Sequence, residues 1–140
     1  MYTYALSMTR SKEAAEDVVH TVFAEVLSRE VLPLELRPYL FRSIRNRAID
    51  AMRKRSRETL SDSIFEYGSD DGLAETRILI EEAMEALGDD EREAVVLKAY
   101  SELTLNEIAE ARRVSINTAA SWYRRGLEKM RKRIEEVPHE

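Results

Sequence analysis

Residues 104–134, TLNEIAEARRVSINTAASWYRRGLEKMRKRI, leave room for few architectures. Thr104 followed three residues later by Glu107 has the form of a capping box and opens a short helix to about Ala111. Ser115 repeats the start signal, and the pattern predicts a second helix to about Glu135. Counting from Leu105 as the first position, Ile108 is fourth, Ala109 fifth, Val114 tenth, Ala119 fifteenth and Trp122 eighteenth. A small fifth residue lets two helices approach across a tight turn, and the other positions are apolar and inward, which is the pattern of a helix-turn-helix. Two residues depart from it. Arg112 stands at the eighth position, where an apolar side chain is expected, and Arg113 at the ninth, where glycine is expected. A non-glycine residue in the left-handed region costs about 1 kcal/mol.

With Ala119, Trp122 and Leu127 inward, the residues Asn117, Thr118, Ser121, Arg124 and Arg125 point away from the packed side. The N-terminal part of such a helix is what enters a major groove. Asn and Arg pair bidentately with base edges, and Ser and Thr reach bases or phosphates. Lys129, Arg131, Lys132 and Arg133 lie further along, towards phosphate or solvent. The helical spacing of Trp122 from Ala119 and Leu127 suits core packing, with base stacking as the alternative.

The formal net charge of -5 hides an uneven distribution. Residues 37–57 hold 8 basic and 1 acidic side chains, net +7, and residues 112–134 again hold 8 and 1. Between them, residues 58–93 hold 2 basic and 13 acidic side chains, net -11. Two basic islands suggest two separate contacts with one polyanion, and a solvated helix face is the bland alternative for either. The acidic stretch is a candidate screen for both islands until the two units are drawn apart.

Residues 12–28 also carry helical spacing, with Ala15, Val18, Val19, Val22, Phe23, Val26 and Leu27 on one face and Ser11 as the N-cap. From Pro38 a further helix runs through PYLFRSIRNRAIDAMRKRSR, with Tyr39, Leu40, Phe41, Ile44, Ala48, Ile49 and Met52 as its apolar positions. The stretch SDSIFEYGSDDG reads as a flexible linker. After it the pattern predicts a helix over Leu73–Leu87 ended by Gly88, and another capped by Asp89 or Asp90 and reaching about Tyr100. The fold class is therefore all-α, in two small units at 1–57 and 74–140 joined by an acidic linker at 58–73.

Cysteine is absent, His20 and His139 are far apart in sequence, and no apolar run is long enough to cross a bilayer. The residues MYTYALSMTR do not form a signal peptide. These features argue for no cofactor, no metal, no membrane insertion and a cytoplasmic setting. Carboxylates are plentiful but dispersed, and no nucleophile–base pair, phosphate loop or metal spacing occurs, which argues against an enzyme.

AAEDVVHTVFAEV followed by YLFRSIRNRAIDAMRKRSR resembles region two of bacterial RNA polymerase sigma factors of the extracytoplasmic-function group. EALGDDEREAVVLKAYSELTLNEIAEARRVSINTAASWYRRGLEKMRKRI resembles their region four. The resemblance covers the chain from about residue 5 to 134. It implies that Glu16, Asp17, Val18, Val22 and Phe23, with Ala15, dock on core polymerase. It implies that Asn46 and Asp50, with Arg42, Arg45, Arg53, Lys54 and Arg55, grip the opened downstream promoter element, where cations hold single-stranded phosphates. Region four would place Arg112, Arg113, Ser115, Asn117, Thr118, Ser121, Arg124 and Arg125 at double-stranded upstream DNA. An anti-sigma protein is a further implied partner.

Read from the residues alone, Glu16 and Asp17 also suit a solvated first turn, and Asp50 suits an intrahelical partner for Lys54. Tyr39 and Phe41 suit core positions as well as base contact. Two departures from the family pattern stand out. Its N-terminal helix is expected to be shortened here, and Ala120 and Trp122 stand where a Lys and an Arg often occur. The loss of two cations would lower the salt slope of DNA binding by about two units. A sigma-like helix-turn-helix regulator that does not support initiation is the alternative function.

Overall fold

The structure, a computed structural model, describes residues 1–54 and 74–136, so the expected linker at 58–73 and Arg55 lie outside the described residues. The described residues form seven α-helices and one π-helical turn, without a strand. The first three helices are α1 (Tyr2–Thr9), α2 (Lys12–Leu27) and α3 (Leu36–Lys54). The next four are α4 (Ala74–Glu85), α5 (Asp89–Val95), α6 (Leu105–Arg112) and α7 (Ile116–Glu135), with the π-helical turn at Val96–Tyr100. The all-α expectation holds.

The start of α1 has no side-chain cap, so no local start signal in the sequence marks it. An isolated eight-residue helix is marginal in water. Packing carries this one, because Tyr4, Ala5 and Leu6 are almost fully enclosed against α2 and α3. It ends at Arg10, whose left-handed backbone (φ 55°) lets its amide donate to the Leu6 carbonyl at 2.8 Å. Ser11 then caps α2 by accepting from the Ala14 amide.

On α2 the buried face is Ala14, Ala15, Val18, Val22 and Val26. Leu27, expected inward, is instead exposed, together with Val31, Leu32 and Leu34 of the connection that follows. Leu40, Phe41, Ile44 and Ala48 of α3 pack into the same core, while Met52 is exposed. The Tyr4 and Phe41 rings meet with centroids 5.8 Å apart.

In the second group, Gly88 does not close α4. It is the N-cap of α5, with extended backbone, and the Glu91 carboxylate reaches back to accept from its amide at 3.1 Å. Asp89 and Asp90 follow in the first turn, where acid suits the helix dipole. Arg92 donates to the carbonyls of Met84 and Leu87, adding to the backbone bonds that close the end of α4. The Thr104–Glu107 capping box forms as expected, with both bonds present at 3.1 and 3.0 Å. Ser115 accepts from the Thr118 amide and starts α7.

The turn between α6 and α7 places Arg113 at φ 55°, ψ 48°, the left-handed conformation that its position suggested. The inward side of α7 is Ala119, Tyr123, Gly126 and Met130, and Leu127 is exposed, contrary to expectation. Gly126 has a geometric reason. A Cβ there would sit 2.8 Å from Val95 Cγ2 and 3.3 Å from the Glu91 carbonyl oxygen. α5 and α7 touch through backbone and a methyl group at that point.

The two helix groups are not separate bodies in space. α6 packs on α3, α1 touches the π-helical turn, and one continuous apolar core joins residues of both groups.

Two substitutions check this geometry. Gly126→Ala gains about 1 kcal/mol of helix preference but overpacks a site where such clashes cost about 1–3 kcal/mol. The net effect is a lower urea midpoint by circular dichroism, and an unchanged or raised midpoint contradicts the close approach. Arg113→Gly relieves the left-handed strain and raises the unfolding free energy by about 1 kcal/mol in the same assay.

Candidate nucleic-acid interface

The first turns of α7 are held from below and open above. Ala119 is fully buried against α6, whereas Asn117, Arg124 and Arg125 are exposed along one side. Ser115 is exposed, Thr118 and Ser121 are half-buried, and the Ser115 and Thr118 hydroxyls share a 2.9 Å hydrogen bond at the helix start. Arg113 is exposed at the turn just before them. The structure therefore brings together Arg113, Ser115, Asn117, Thr118, Ser121, Arg124 and Arg125 around one helix end. A row of amide and guanidinium donors on a groove-sized helix can read base edges and hold phosphates.

Arg112 is not part of that face. Its side chain is only 9% exposed, with Nη2 2.8 Å from Asp90 Oδ1 and Nη1 3.1 Å from Glu93 Oε2. Its guanidinium lies over the Trp122 ring at 4.8 Å from the centroid. Trp122 is neither deep core nor a free stacking platform, because it is the apolar floor beneath a structural arginine.

α3 presents a second set of cations, differently disposed. Asn46, Asp50, Arg53 and Lys54 are exposed. Arg42 and Arg45 turn instead to the second helix group. Arg42 Nη2 donates to the Glu110 carbonyl at 2.8 Å, and Arg45 Nε donates to Glu93 Oε1 at 2.9 Å. Arg37 joins them, donating to the carbonyls of Ser101 and Glu102 and lying 3.5 Å from Glu107 Oε2. The Glu102 backbone there is itself left-handed, at φ 60°. Arg47 pairs with Glu25 within the first group.

Glu93 is the centre of this arrangement. It is 8% exposed, and its Oε1 also accepts from the buried Tyr4 hydroxyl at 2.6 Å. Burial pushes the Tyr4 phenol well above its ordinary value, and the Glu93 charge adds to that, so the hydroxyl remains a donor. Tyr4, Arg45 and Arg112 thus converge on one carboxylate. The sequence reading did not find Glu93 or Tyr4. The available signal was Arg112 itself, a cation at a position that normally packs inward.

On α2, Glu16 and Asp17 are exposed and Phe23 is half-buried, while Val18 and Val22 belong to the core. Of the residues expected to dock polymerase, Val18 and Val22 hold α2 against its neighbours, because enclosed methyl groups offer a partner no surface. Among the described residues no cluster could hold a metal ion, and no helix is long and apolar enough to cross a membrane.

A two-group helical chain with a basic helix-turn-helix has the architecture of a transcription factor. The Sigma-70 region 2 model matches residues 1–58, and the Sigma-70, region 4 model matches residues 77–130. The ECF RNA polymerase sigma factor SigM of Bacillus subtilis (strain 168) is 32% identical over 124 residues, 82% of this chain and 76% of that protein. The sigma factor RpoE from Bartonella quintana, solved in complex with the anti-sigma factor NepR, shares the fold. It has a TM-score of 0.72 at 22% identity, covering 98% of this chain and 91% of that one. The chain belongs to the extracytoplasmic-function group of the sigma-70 family.

Duplex-binding titrations against salt separate the two kinds of arginine. Arg124→Ala or Arg125→Ala lowers the salt slope by about one unit each. Arg112→Ala leaves the slope unchanged and lowers stability by about 3 kcal/mol, because Glu93 loses a cation in a buried site.

Proposed function

We propose that this sigma factor binds core RNA polymerase and directs initiation by contacting promoter DNA at two elements. The observation that carries the reading is the open N-terminal half of α7, capped by Ser115 and lined by Asn117, Arg124 and Arg125. It is a groove-sized helix end with bidentate donors, and it takes the upstream element as duplex. α3 takes the downstream element as opened strand, through Asn46, Arg53 and Lys54 together with Arg42, Arg45 and Asp50. Arg55 lies outside the described residues and belongs to the same basic run. Glu16, Asp17 and Phe23 on the outer side of α2 meet the polymerase. Such work takes place in the cytoplasm and needs no cofactor. An anti-sigma protein is a further partner, a reading supported by the complex in which the RpoE relative was solved.

Run-off transcription with core polymerase on a genomic library tests the proposal, with start sites sharing upstream bases as the expected result. The charge-reversed pair Glu16→Lys and Asp17→Lys abolishes core capture while duplex binding by the free chain persists. A second reading, a sigma-like regulator that does not support initiation, draws on the inward turn of Arg42 and Arg45. A two-fold symmetric footprint without polymerase, and no core binding, would establish that reading instead.

A further inference from the structure

We infer that Arg112 and Trp122 form a positioning pair that fixes the roll of α7 about its own axis and so determines which base edges its groove-facing residues read. The inference rests on the proposed role of α7 at the upstream duplex. The sequence sets both residues apart, Arg112 at a position that wants an apolar side chain and Trp122 in the middle of a basic helix. The structure joins them. Arg112 ends α6, and its guanidinium lies over the Trp122 ring at 4.8 Å from the centroid. Its Nη2 is 2.8 Å from Asp90 Oδ1 and its Nη1 is 3.1 Å from Glu93 Oε2, both on α5. A planar guanidinium pairs with carboxylates at its edge and stacks at its face at the same time. Arg112 therefore ties the end of α6 to α5 and to α7 at one point.

The roll is held from a second side as well. Lys98 of the π-helical turn stands over the Tyr123 ring, 5.6 Å from its centroid. Consecutive residues are about 100° apart around a helix. Trp122 and Tyr123 thus meet their cations from two directions, and rotation in either sense draws one ring out from under its partner. Gly126, one turn beyond Trp122, lies against Val95 and the Glu91 carbonyl. Thr118 precedes Trp122 by four residues and Arg125 follows it by three, so both stand on the flank that the ring occupies. A roll of about 20° moves a side-chain tip roughly 5–6 Å from the axis by about 2 Å, which exceeds the tolerance of a hydrogen bond to a base edge. Phosphate attraction survives such a shift, because it depends on charge more than on direction. The pair bears on base choice and leaves general affinity alone.

Trp122 is the only tryptophan in the chain, so its emission reports the contact directly. Arg112→Lys keeps a cation for Asp90 and Glu93 and removes the planar face. In the free chain it is expected to move the emission to the red and to raise quenching by acrylamide, with native circular dichroism. The consequence is read on core polymerase carrying the full chain, transcribing a promoter found by run-off whose upstream bases are randomised. Arg112→Lys and Trp122→Leu are each expected to reduce discrimination between the preferred upstream bases and their single-base variants by about tenfold, the worth of one bidentate base contact. Trp122→Phe retains a ring and most of the discrimination. The double variant Arg112→Lys with Trp122→Leu loses no more than either single one, because both remove the same contact. The salt slope of duplex binding stays at the wild-type value in all of them.

Unchanged emission and quenching in Arg112→Lys overturn the pair. Emission that shifts while base preference stays as in the wild-type chain overturns the positioning role, and so do losses that add in the double variant. A uniform loss across all upstream sequences does the same, because it marks a contact that only supports the fold. Should Arg112→Lys fail to fold, Trp122→Leu against Trp122→Phe decides, and equal discrimination in those two overturns the proposal. A wild-type chain that gives no core-dependent transcript sinks the proposed function itself, and this inference with it, whereas every outcome above leaves that function standing.

Discussion

A carboxylate shut inside protein cannot remain charged unless cations and donors come to it, since unpaired burial of an ion is prohibitively costly. Glu93 imposes that condition on this molecule. α5 must bring it beneath α6 so that Arg112 can reach Oε2, and α1 and α3 must close over it to supply Tyr4 and Arg45. Arg112 in turn needs a surface for its planar face, and Trp122 of α7 provides one. Five helices are therefore placed by one side chain's need for neutralisation. The surrounding apolar core supplies most of the driving force for packing, but it is non-directional. The polar centre selects this mutual orientation among the many that would bury the same methyl groups.

The reading surface owes its openness to the same division of labour. α7 is held through Ala119, Tyr123, Gly126 and Met130, all on its inner side, which leaves Asn117, Arg124 and Arg125 on the outer side of its first turns exposed. Lys129 is an exception among the outward cations, because it bonds Glu91 at 2.6 Å. That bond holds the Glu91 carboxyl below its usual range, so the stabilisation it gives is present at neutral pH and fades as acid protonates the carboxylate. Lys129 is thus a strut between α5 and α7, and the cations available to a groove are those nearer the start of the helix.

Much of this was legible in the residues. The capping signals at Ser11, Thr104 and Ser115 each formed the bonds their chemistry implies, because a cap is a local event settled within four residues. The left-handed turn at Arg113 was legible for the same reason. Errors arose where tertiary contact outweighed local preference. Gly88 looked like a helix stop and serves as a start, since a glycine without positive φ follows whichever neighbour offers a hydrogen bond, here Glu91. Leu27 and Leu127 have the right spacing but stay exposed, because spacing alone does not say how far the partner surface extends. α1 has no start signal at all. Of the candidate site, the open end of α7 followed from periodicity. The inward commitment of Arg42, Arg45 and Arg112 did not, because charge counting cannot tell a cation that faces solvent from one that faces a carboxylate dozens of residues away.

The missing side chain at Gly126 has one more implication. With backbone and methyl in direct contact, α5 and α7 have no compliant layer between them and behave as a single rigid lever. Any rotation that withdraws Glu93 from the first helix group must swing the open N-terminal end of α7 through the same angle. Displacement at one end of this pair of helices is then geared to displacement at the other through the stiffness of one helix crossing.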